Sequence, residues 1–80
     1  MVRDPSEFVI LCRIEEQRPD RFVLVVSAEP AVPGPGAPFT ETRAFATREE
    51  ALAEQWIVVK AVIARVVAGG NRVTHIETDL

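Results

Sequence analysis

Apolar residues alternate from Glu7 to Glu16, where Phe8, Ile10, Cys12 and Ile14 fall on one face of an extended segment and Val9 and Leu11 on the other. A second run, Arg21 to Ala28, carries Phe22-Val23-Leu24-Val25-Val26. Between them Gln17-Arg18-Pro19-Asp20 supplies turn chemistry, with proline presetting φ and aspartate able to bond its own backbone. The pattern predicts a β-hairpin that is apolar on both faces, as in a sheet covered on both sides. Phe39 to Ala46 alternates again, in a more polar way, and predicts a third strand closing a meander.

The periodicity then changes. Thr47-Arg48-Glu49-Glu50 has the form of a capping box, with acidic side chains at the positive end of a helix dipole, and Gly69-Gly70 provides a stop, so a helix is predicted to about Ala68. Seven β-branched residues between Ile57 and Val67 would also suit a strand. The length, the interspersed alanines and the signals at both ends decide for the helix. Leu52, Trp56, Val59, Ile63, Val66 and Val67 fall within a sector of about 100° and form the expected core stripe, with Trp56 as the main plug between helix and sheet. Asn71 to Asp79 predicts a short last strand. The expected fold is α+β, a three- to four-stranded antiparallel sheet packed on one long helix in the order β-β-β-α-β.

Length and composition bound what such a chain can be. Its 80 residues suffice for one domain spanning 1–80, and 48% hydrophobic with 26% charged residues is the balance of a folded globular protein. The formal charge of −3 comes from 12 acidic and 9 basic residues spread along the chain, leaving no basic stripe to displace counterions from a nucleic acid. Binding to nucleic acid by this chain alone is therefore not expected. Lys60 and Arg65 interrupt the longest apolar stretch before it could cross a bilayer, and Met1 to Glu7 is acidic and proline-containing where a secretory signal would be apolar. A cytoplasmic protein is expected, and the preference for Arg over Lys, with abundant Ala, Val and Pro, suggests a GC-rich bacterial source.

Candidate chemistry is sparse: one His, one Cys, no Tyr. Cys12 and His75 could make a nucleophile and base, but a cysteine in an apolar strand behaves as a small buried hydrophobe. His75, Glu77 and Asp79 alternate along the last strand and are the candidates for a metal site, since imidazole and carboxylates suit transition metals; a strand showing its polar face to water explains the same pattern. The segment 29–38 holds four prolines and two glycines and is expected to be a loop, an elongated hairpin connection more readily than a recognition segment. No cofactor and no small-molecule substrate is indicated.

What stands out is surplus apolar surface. One helix covers one face of a small sheet, which leaves Val9, Leu11, Val23 and Val25 on the second face and Val58 and Val62 outside the expected helix stripe. Those six are the candidate interface of a homodimer or of a complex with a protein partner.

The element order, with Phe45-Ala46-Thr47-Arg48-Glu49-Glu50-Ala51-Leu52-Ala53 leading from the third strand into the helix, resembles the small bacterial domains of the HicB-like antitoxin type. The resemblance implies a protein-binding domain, often oligomeric, whose partner is a toxin or nuclease. The reading of the residues is thus a non-catalytic interaction domain, with a small metal-binding protein or enzyme using His75, Glu77 and Asp79 as the alternative.

Overall fold

A computed structural model describes residues 7–31 and 37–78. The chain forms β1 (Glu7–Arg18), β2 (Arg21–Pro30), β3 (Phe39–Phe45), α1 (Arg48–Ala68) and β4 (Arg72–Thr78), in the β-β-β-α-β order that the periodicity predicts. Segment 57–67 is helical despite its β-branched residues.

The strands make one sheet in the order β3-β2-β1-β4. β1 pairs antiparallel with β2 and β2 antiparallel with β3, but β4 runs parallel to β1, so the sheet is mixed and the expectation of an antiparallel sheet is corrected. The helix is the reason. Its 21 residues rise about 32 Å, enough to carry the chain back to the end of the sheet where β3 began, so the next strand must run in the direction of β3 and β1. Both edges of β2 are already occupied, and β4 takes the free edge of β1.

The register assigns the faces. Phe8, Ile10, Cys12 and Ile14 on β1 lie level with Pro30, Ala28, Val26 and Leu24 on β2 and point toward α1. They close a core with Val58, Val59, Val62 and Val66, at whose margin Phe39, Phe45, Ile63 and Val73 pack. An irregularity between Phe8 and Val9 in the β1–β4 pairing leaves Thr74 unpaired, so that Val73 and Ile76 lie on the helix side while His75 lies on the outer side. Glu29 and Pro30, expected in the loop, extend β2, with Pro30 opposite Phe8 at the strand end where a missing donor is tolerated.

Both ends of α1 are satisfied as the sequence predicts. The Thr47 hydroxyl accepts from the Glu50 N–H at 3.1 Å, with Glu49 and Glu50 in the first turn. At the other end Asn71 N–H donates to the Val66 carbonyl and Gly70 N–H to the Val67 carbonyl, closed by Gly70 at φ +82°, a conformation a β-carbon would penalise.

The buried face of the helix differs from the expected stripe. Ala51, Val58, Val59, Val62 and Val66 are buried, whereas Trp56 and Val67 are more than half exposed or close to it, so the helix is turned by about 80° from the orientation the periodicity suggested. Flat valines can sit close over the middle strands, and an indole there would hold helix and sheet apart; apolar residues ring α1, and sheet shape selects among its faces. Trp56 is not the plug between the layers.

Candidate functional site

The six candidate interface residues divide into three groups. Val58 and Val62 face the sheet inside the core, which corrects their assignment to a free surface: they belong to the face that α1 turns inward. Val23 and Val25 do point outward, but are only 8% and 7% exposed. The register places Glu15 and Arg13 beside them on β1 and Ala44 and Thr42 on β3, and a 2.8 Å ion pair joins Arg13 to Glu15 across this flank. Val9 and Leu11, half-buried, are what remains of the outer apolar face, bordered by Ser27, Glu29, His75 and Glu77.

The candidate chemistry is not brought together. Cys12 points into the core and His75 away from it, on opposite faces of the sheet, so no nucleophile–base pair forms between them. The Cys12 thiol lies 3.9 Å from the Gln55 side-chain oxygen, a weak donor to a side-chain carbonyl, and burial pushes its pKa above the ordinary thiol value of 9.0. That is the opposite of an activated thiolate. His75 and Glu77 do share the outer face of β4, while Asp79 lies outside the described residues. Among the described residues no group of three His, Cys, Asp or Glu side chains is placed to hold a metal ion. Residues 32–36 of the Pro/Gly segment also lie outside the described residues.

One shallow cleft opens where β4 ends beside β1, lined by Leu11, Cys12, Arg13, Glu77 and Thr78, with a volume of about 210 Å³. Sites for drug-sized ligands run from roughly 300 to 1,000 Å³ and enclose most of the ligand. This one is smaller and wide open, and its cation, Arg13, is tied to Glu15.

The exposed apolar surface is concentrated elsewhere. Trp56 is 50% exposed, Ile57 60% and Val67 57%, all on α1, and Ile76 on the helix side of β4 is exposed as well. One flank of α1 is anchored over β3, where Arg65 pairs with Glu41 at 3.0 Å and lies over the Phe39 ring, 4.5 Å from its centre. At 100° per residue, Leu52, Trp56, Ile63 and Val67 lie on the opposite flank, the one toward β4. A helix about 10 Å wide spans roughly two strands 4.8 Å apart, so it covers β4 only in part: Val73 packs at the core margin while Ile76 stays exposed. Trp56 and Val67 on this flank and Ile76 on the helix side of β4 are thus exposed apolar residues on the same side of the sheet. The sequence carries their signal, more large apolar residues on α1 than one packed face can bury.

No helix is long and apolar enough among the described residues to cross a membrane. No protein-family model matches the chain, and searches of curated proteins and of solved structures give no match.

Proposed function

We propose that this chain is a non-catalytic protein-interaction domain, whose contact surface is the exposed side of α1 together with the helix side of β4. With no family to supply an activity, the reading rests on the surface itself. Its main support is the exposure of Trp56, Ile57 and Val67 on a helix whose middle segment, Trp56 to Ala64, carries one charge, Lys60. Large apolar side chains grouped on a small protein's surface mark interfaces, and tryptophan is the residue that most often dominates their energy. The resemblance to HicB-like domains points the same way, toward a chain that acts by holding another protein. Relative to the sequence-level expectation, the surface moves from the outer sheet face to the helix flank, because Val23 and Val25 have little area left to bury.

The test is binding of an apolar fluorescent dye by dilute protein, before and after Trp56→Glu. The expected result is dye binding by the natural chain, lost in the variant while the melting temperature stays within a few degrees. Dilute protein that takes up no dye and associates with nothing would remove the basis of the proposal.

A further inference from the structure

Along the exposed side of α1, Glu49, Ala53, Trp56, Lys60, Ile63 and Val67 recur at alternating spacings of four and three residues. That is the repeat with which two α-helices pack side chains into one another's gaps. The seam lies about 130° around the helix from the centre of the buried face, and all its members are exposed except Ile63, which is half-buried. Of the seam only Ile63 also packs at the core margin; the buried face itself uses Ala51, Val58, Val59, Val62 and Val66.

We infer that the partner of this surface is a second copy of the chain, docked by antiparallel pairing of the two α1 helices along this seam. The inference rests on the interaction reading above and names its occupant. Three observations select a second copy. First, the seam is self-complementary when antiparallel. Full overlap of two helices sets Arg48 level with Ala68, and this register alone places Ala53 opposite Ile63, Leu52 opposite Ala64 and Trp56 opposite Lys60. Ile63 and Leu52 then each meet an alanine, the Trp56 ring lies level with Lys60, the seam's only cation, and Glu49 lies level with Val67 at the two ends. A parallel pair would stack Trp56 on Trp56 and Lys60 on Lys60. Second, the antiparallel pair sets the positive dipole end of each helix beside the negative dipole end of the other. Third, a two-fold axis perpendicular to the helix pair leaves both sheets on one side with their β4 edges facing, so that Ile76 of each copy comes under the joint.

Area sets the strength. A seam about 32 Å long and roughly 10 Å wide is well under the ~800 Å² per partner of a standard stable interface. The dimer is therefore reversible, with a dissociation constant in the micromolar range or weaker. Ile57, although exposed, lies outside the seam on the solvent side.

Sedimentation equilibrium from micromolar to near-millimolar protein tests this, together with dye binding on the same samples. The expected result is a monomer–dimer equilibrium whose dissociation constant rises roughly thirtyfold or more in Trp56→Glu, a hot-spot-sized loss, and changes less than about threefold in Ile57→Glu, which adds the same charge just off the seam. A chain carrying both Ala53→Cys and Ile63→Cys should cross-link as a dimer on mild oxidation, while neither single variant does. A dimer indifferent to Trp56→Glu, or cross-linked by the single variants, overturns the seam. A monomer at every concentration that binds dye through Trp56 overturns self-pairing and leaves the interaction reading standing. A monomer that binds no dye overturns both.

Discussion

Leu24 and Trp56 are two large apolar residues given opposite roles. Leu24 is fully buried between β1 and β3 under the helix, and Trp56 is half exposed. Leu24→Ala should therefore destabilise folding by about 2–5 kcal/mol in urea denaturation, lost transfer energy plus a cavity that β2 cannot close. Trp56→Ala in dilute protein should cost less than about 1 kcal/mol. A large loss from Trp56→Ala would mean that the indole is the interlayer plug after all. Cys12 belongs to the same scale. Its thiol pKa is raised above 9.0 by burial, so the folded chain keeps the proton over a range where the unfolded chain has lost it. The associated stability is complete below pH 9 and falls as pH rises beyond it toward the folded-state value, by at most about 1.4 kcal/mol per pH unit. Comparing natural chain and Cys12→Ala by denaturation between about pH 8 and pH 10.5 should show this extra decline in the natural chain alone.

At the scale of the element, α1 is specified locally at its ends and globally along its sides. Thr47 caps through one hydrogen bond to Glu50 N–H, so Thr47→Ala should cost about 1 kcal/mol and Thr47→Ser nearly nothing, read as a change in the urea midpoint. Such end signals need no tertiary context, because the cap and the Gly70 stop satisfy backbone groups of the helix itself. The face that packs is another matter. With Trp56, Ile57, Ile63 and Val67 competing with Val58, Val62 and Val66, periodicity offers several nearly equivalent stripes, and an apolar indole looks like core until its thickness is set against the gap over the sheet. The strands show the same division. The alternation in β1 correctly separates Phe8, Ile10 and Cys12 from Val9 and Leu11, yet it cannot show that cross-strand neighbours would bury Val23 and Val25 on the outer face.

For the molecule as a whole, β1 and β2 are the middle of the sheet and the floor of the core, while β3 and β4 each have one unpaired edge among the described residues. Native-state hydrogen exchange should therefore be slowest at amides such as Ile10, Leu24 and Val26 and faster in β4, whose pairing with β1 covers Glu7 to Cys12 only. Uniform protection across all four strands would contradict this arrangement. The exposed ion pair of Arg72 with Glu7 at 2.6 Å ties the start of β4 to the start of β1, but a pair so open to solvent adds little.

What the sequence by itself determined are the features written in neighbouring residues: the order and approximate span of the strands and the helix, the capping and stop of α1, and the inward face of β1. Each depends on periodicity, backbone satisfaction or residue chemistry within one segment. Tertiary structure decided the parallel placement of β4, the rotation of α1, the separation of Cys12 from His75 on opposite sheet faces, and which apolar side chains stay exposed. These follow from helix length measured against the sheet, from the distance between packed layers, and from which strand edges were already taken, all properties of elements in contact that no single segment encodes.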